Sequence, residues 1–143
     1  MQSFVPSPDQ VQALLRAARL AYTRAYAPYS DFPVGAAVLD EHGVVHAGCN
    51  VENVAYPQGV CAEAGALSAM ILAGGRRARA VVVVGTGGEW ITPCGGCRQK
   101  LREFCDLDTP IMTASDTAVG PQYTLEQLMP HSFGPEHLAR THS

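Results

Sequence analysis

This 143-residue sequence has little charge: 16% of its residues are Asp, Glu, Lys or Arg, and the formal net charge is −3. Without a basic excess there is no broad footprint for nucleic acid, which needs a cationic patch or stripe. Arg76, Arg77 and Arg79 do cluster, at a predicted helix end, where positive charge suits the helix dipole or solubility. Long hydrophobic runs are also missing. The most apolar stretch, Val81 to Val84, is far too short to span a bilayer, so no membrane partner is expected. Met1 to Gln10 has neither the basic start nor the apolar stretch of a leader peptide. The five cysteines are an odd number and cannot all pair within the chain. A reducing cytoplasm and metal-binding thiols fit them better than a secreted disulfide framework. No repeat, low-complexity tract or linker is visible. The length and the 47% hydrophobic content predict one globular domain over residues 1–143, able to bury a core without staples.

Val11, Leu14, Leu15, Ala18, Tyr22 and Ala25 return at helical spacing, with Asp9 as the expected N-cap and Pro28 beyond the far end. Val34 to Leu39 and a run from Val44 read as strands joined by the turn-like Asp40-Glu41-His42-Gly43, a hairpin. Cys61 to Leu72 predicts a buried helix stopped by Gly74-Gly75, and Ala80 to Val84 a core strand. A helix from Pro93 or Cys94 to about Phe104 follows, then a strand over Pro110 to Ala114. Tyr123 or Thr124 opens either a strand or the helix Leu125 to Met129. Strands alternating with helices after a hairpin predict an α/β layer fold with a mixed sheet.

Cys61-Ala62-Glu63 and Pro93-Cys94-Gly95-Gly96-Cys97 carry the chemistry. Three thiols can hold zinc and leave one position for water, as catalytic rather than structural sites do. Residues two apart share no helix face, so Cys61 and Glu63 converge only if Cys61 lies at a helix entrance. Cys94 and Cys97 fit a second helix start, and N-terminal N–H groups there favour thiolates. That help matters, because three thiolates and one Zn2+ sum to −1, which weakens the metal as a Lewis acid. Cys49 and Cys105 read as small buried hydrophobes. His42, His46, His131, His137 and His142 form no ligand-spaced pair with the cysteines and are expected in exposed loops or the tail.

Cys61-Ala62-Glu63 with Pro93-Cys94-Gly95-Gly96-Cys97-Arg98-Gln99 resembles the zinc-dependent cytidine deaminases of the short homotetrameric type. The likeness extends to Pro28-Tyr29-Ser30-Asp31-Phe32-Pro33-Val34-Gly35-Ala36-Ala37, to Gly48-Cys49-Asn50-Val51-Glu52-Asn53, and to Leu128-Met129-Pro130-His131-Ser132-Phe133-Gly134-Pro135. It covers the chain from about Tyr22 to Leu138. The resemblance implies a three-layer α/β/α fold with a mixed five-stranded sheet, and one zinc per chain on Cys61, Cys94 and Cys97. It implies hydrolytic deamination of cytidine and deoxycytidine in pyrimidine salvage, the chemistry known for zinc deaminases, with Glu63 as proton carrier. By the same analogy Asn50 and Glu52 bind the ribose, Phe32 packs on the nucleoside, and the Ala62 N–H donates to the base carbonyl. Phe133 would reach from a neighbouring subunit of a homotetramer over the base. One departure stands out: many members have arginine directly after the catalytic glutamate, where this chain has Ala64 and then Gly65. The thiolate charge must then be balanced by another donor, Arg98 or the helix N-terminal amides alone.

Other readings compete. Deaminases of cytosine-nucleoside antibiotics of the blasticidin S kind share the metal motif, but the polar Asn50 and Glu52 pair favours a plain ribose. Deamination within RNA or DNA would want a basic groove. A non-catalytic zinc module has no use for Glu63, and a redox dithiol at Cys94 and Cys97 would hold no zinc.

Overall fold

In a computed structural model, residues 3–87 and 89–139 are described; His142, expected in the tail, lies outside them. The first helix, α1 (Pro8–Arg24), buries Leu14, Leu15 and Ala18 along the stripe its spacing predicts. Its N-cap is Ser7, not Asp9. The Ser7 hydroxyl accepts from the Gln10 N–H, and the Gln10 side chain accepts from the Ser7 N–H. This reciprocal cap satisfies two amide donors, whereas Asp9 sits inside the first turn, facing the positive end of the dipole.

Strands β1 (Gly35–Asp40) and β2 (Val45–Cys49) form the expected hairpin. Then come α2 (Ala62–Leu72), β3 (Ala78–Val84), α3 (Gly95–Phe104), β4 (Pro110–Ala114) and β5 (Val119–Thr124). Two short helices, α4 (Leu125–Leu128) and α5 (Pro135–Ala139), close the described chain. The five strands make one mixed sheet in the order β2-β1-β3-β4-β5. Only β3 and β4 run parallel, joined through α3, while the other pairs are antiparallel.

Side-chain alternation splits the core into two clusters. Val38, Val81, Val83 and Ile111 face Ala66, Leu67 and Met70 of α2 and Leu101 of α3. Ala37, Leu39, Ala80, Val82 and Val84 face Leu14, Leu15 and Ala18 of α1. Helices therefore cover both faces, giving three layers, and this is why the central strands read as unbroken apolar runs.

Two glycines let the layers close. A Cβ at Gly35 would collide with the backbone of Ala18 and Tyr22, and one at Gly48 with that of Ala62, Gly65 and Ala66. Gly48 thus seats the start of α2 directly on β2. At the hairpin turn, Asp40 Oδ1 accepts from the His42 and Val44 amides at 2.8 and 2.9 Å. Its Oδ2 lies 2.7 Å from His46 Nε2. His46 is 8% exposed, so the expected loop histidine is a buried partner of a buried carboxylate.

Two elements differ from expectation. β5 begins at Val119, because Gly120 and Pro121 mask it as turn-like sequence; on an edge strand proline is tolerated, and the Trp90 ring lies over Gly120 where a Cβ would collide. The helical turn of α5 is not foreshadowed by the residue pattern. Among the described residues, no helix is long and apolar enough to cross a membrane.

Candidate active site

Cys61 is the N-cap of α2, with φ −75° and ψ 154°, and Cys94 is the N-cap of α3, with φ −65° and ψ 168°. Both are extended rather than helical, the geometry needed for Cys61 and Glu63 to turn toward one point. Cys97 follows in the first turn of α3. The three sulfurs lie within 4.8 Å of one another, Cys61 and Cys94 at 3.9 Å. Tetrahedral zinc with Zn–S bonds near 2.3 Å requires sulfurs about 3.8 Å apart, so the donor set fits the ion. Cys97 is buried while Cys61 and Cys94 are exposed. No fourth His, Cys, Asp or Glu ligand atom joins the cluster among the described residues, which leaves a coordination position for water.

The balance of thiolate charge is visible here. Burial raises the Cys61 and Cys97 thiols, and the neighbouring negative groups add to this at Cys97. The Cys97 N–H, donating to Cys94, lowers that thiol. Among the described residues, the thiols' side-chain hydrogen-bond partners are one another. Arg98 does not reach them. Its Nε donates to the Pro93 carbonyl at 2.7 Å, Nη1 to the Leu128 carbonyl at 2.6 Å, and Nη2 to Thr92 Oγ1 at 2.8 Å. Of the two expected donors, one helix N-terminal amide, that of Cys97, acts on the Cys94 sulfur, and Arg98 braces the loop that delivers Cys94.

Glu63, in the first turn of α2, is 4% exposed. Burial pushes its pKa up, against a backbone hydrogen bond and the positive charge of Lys100. Its negative charge opposes ionisation of all three thiols, and it stands two residues along the chain from Cys61, in the first turn of the helix that Cys61 caps. Ala62 opens α2, where the first N–H groups have no acceptor within the helix.

The expected sugar contacts form a second group. Asn50 Nδ2 donates to the Phe32 carbonyl at 2.9 Å, and its Oδ1 accepts from the Val34 N–H at 2.9 Å. Glu52 accepts from the Tyr29 and Ser30 amides and from the Ser30 hydroxyl. Those bonds, the Ser30 hydroxyl first, hold its pKa below the usual carboxylate range. Glu52 lines a cleft of about 280 Å³ with Tyr29, Ser30, Asn53, Tyr56 and Gly59. Reciprocal hydrogen bonds between Val51 and Val60 lay this segment alongside Cys61. Phe32 is 44% exposed at the same loop. Phe133 stands apart, stacked on His137 and 57% exposed. Ser30 lies within the Pro28–Ala37 motif, which assigns it no role of its own; its bond to Glu52, 22 residues away, supplies one.

A three-layer α/β fold that gathers three thiols and a buried carboxylate at two helix entrances is the architecture of a thiolate-held zinc enzyme. The chain belongs to the family described as "Cytidine and deoxycytidylate deaminase zinc-binding region", whose model matches residues 8–113. It is 42% identical to the cytidine deaminase of Mycobacterium tuberculosis, over 93% of this chain and 97% of that one. It is 38% identical to that of Sporosarcina psychrophila, over 90% of this chain and 95% of that one. The crystal structure of cytidine deaminase from Burkholderia pseudomallei superposes with a TM-score of 0.78 at 39% identity, covering 85% of this chain and 98% of that one. The family is a zinc-binding one, and Cys61, Cys94 and Cys97 offer a donor set that fits one such ion.

Proposed function

We propose that this protein deaminates cytidine and deoxycytidine hydrolytically, releasing ammonia and the uridine nucleosides. The observation that carries the reading is Glu63, a carboxylate 4% exposed in the first turn of the helix that Cys61 caps, with Cys61, Cys94 and Cys97 gathered into one donor set. Zinc held there supplies the Lewis acidity that makes a water nucleophilic near neutral pH. Glu63 takes one proton from this water and delivers it to ring N3; it then takes the second from the C4 hydroxyl so formed and delivers it to the amino group, which leaves as ammonia while the C4 carbonyl forms. The Ala62 N–H donates to the base carbonyl and fixes the ring's orientation.

Asn50 and Glu52 bind the ribose, and Phe32 packs on the nucleoside. Glu52 lines a cleft with Tyr29, Ser30 and Tyr56, and a ribose hydroxyl donating to it would share or replace the Ser30 hydroxyl. The whole chain acts as one domain, as a homotetramer in the cytoplasm, with each Phe133 closing a neighbour's site. The exposed Phe133 supports the exchange, and free cysteines support the reducing compartment.

Ammonia release from cytidine, with and without a zinc chelator, tests the reading together with Glu63→Gln. Chelation should abolish turnover and added zinc restore it. The variant should keep one zinc per chain while turnover falls by ~10²–10⁴-fold. Undiminished ammonia release by the variant, or none from the zinc-loaded protein, would sink the proposal.

A further inference from the structure

An exposed phenylalanine ordinarily samples several rotamers, but one face of the Phe133 ring is covered and its backbone is anchored. Its ring stacks on His137, with centroids 5.2 Å apart and planes 13° from parallel. Its carbonyl accepts from Gln99 Nε2 at 2.9 Å. Ser132 before it accepts from Arg102 Nε at 2.8 Å, and the Gly134 N–H after it donates to His137 Nδ1 at 2.9 Å. Gly134 lies against the Arg102 guanidinium so closely that any Cβ would overlap Cζ and both Nη atoms. That guanidinium is buried and pairs with Glu136. His131 adopts a positive φ of 57°, bending the chain into this arm.

We propose that Gln99, Arg102 and His137 are positioning residues that present Phe133 as a rigid aromatic insert. The inference rests on the proposed function, in which Phe133 covers the pyrimidine of a neighbouring copy. An immobile ring loses little freedom on docking, so the cradle lowers the ordering cost of substrate binding. Gln99 and Arg102 are three apart on α3 and share a face of it. The helix that contributes Cys97 at its start therefore also aims an aromatic outward, tying one site's metal geometry to the neighbour's pocket. Since Phe133 touches the base and not the reacting atoms, its positioning acts on substrate binding equally before and during reaction. The effect then falls on KM and spares kcat.

The test compares Phe133→Ala, His137→Leu and His137→Phe in cytidine kinetics, with light scattering to monitor assembly. His137→Leu removes the flat surface under Phe133 and should raise KM about three- to ten-fold, with kcat and assembly unchanged. His137→Phe restores a flat ring and should return KM toward the parent value. If Phe133→Ala raises KM while His137→Leu leaves it alone, the cradle is overturned and the aromatic exchange stands. The cradle is equally overturned if His137→Leu loses kcat and assembly together, or if His137→Phe fails to restore KM. If Phe133→Ala itself leaves KM unchanged, the exchange is wrong and the inference falls with it.

Discussion

Asp40 and Glu63 are both buried carboxylates, 3% and 4% exposed, yet their surroundings drive them in opposite directions. At Asp40 burial favours the neutral acid, but hydrogen bonds from His46, the Val44 N–H and the His42 N–H outweigh it, and its pKa falls. Glu63 has no comparable set of donors, so burial prevails and its pKa rises. One carboxylate holds a turn and the other is free to exchange protons. The Asp40 contribution to stability is complete above the unfolded value near 3.8 and is lost as pH falls through the lower folded value. Glu41, Glu52 and Glu136 are also depressed and add to the same slope. Urea midpoints measured between about pH 5 and pH 2 should therefore decline for the parent protein and decline less steeply for Asp40→Asn. Equal slopes would show that the Asp40–His46 pair carries no pH dependence.

Helix entrances decide the chemistry at the scale of elements. α2 and α3 each begin on a cysteine in extended geometry, and at α3 the Cys97 N–H acts on the Cys94 sulfur. That arrangement is legible in the sequence, since residues two apart cannot share a helix face unless one precedes the helix. The close seating of α2 on β2 is less legible, because it depends on Gly48 lacking a side chain. Gly48→Ala forces the new methyl into the Ala62 and Ala66 backbone. Overpacking of this kind costs about 1–3 kcal/mol, and Ala62 and Glu63 ride on the displaced turn. Thermal and urea denaturation should show that loss, with ammonia release falling alongside it. A variant of full stability and activity would mean that α2 and β2 do not meet as closely as described.

Over the whole molecule, apolar side chains of the segment that carries Glu52 lie in the open: Tyr26, Tyr29, Phe32, Val51, Val54, Tyr56 and Val60 are all exposed, and so is Phe133. Exposed apolar groups gathered in this way are what association covers. Light scattering of the intact protein should give four chains of 15.2 kDa, and a monomer with full activity would contradict the exchanged Phe133. Assembly of this kind would hide Phe133 from water and make each pocket a joint product of two chains.

The elements and the chemistry-bearing residues followed from local rules. Cys61, Glu63, Cys94 and Cys97 could be placed because their spacing is read within one or two helical turns, and the central strands because burial on both faces leaves an unbroken apolar run. β5 escaped, since an edge strand tolerates Gly120 and Pro121 where a central one would not. Tertiary structure alone decided what the polar side chains do. Arg98 looked like a cation for the thiolates, and packing gave it the Leu128 carbonyl, 30 residues away, in their place. His46 looked like a loop residue until the hairpin closed it over Asp40. Phe133 gained its cradle from Gln99 and Arg102, far upstream on α3. Local spacing specifies which groups can act; long-range packing, which spacing does not encode, specifies the partners that hold each of them in place.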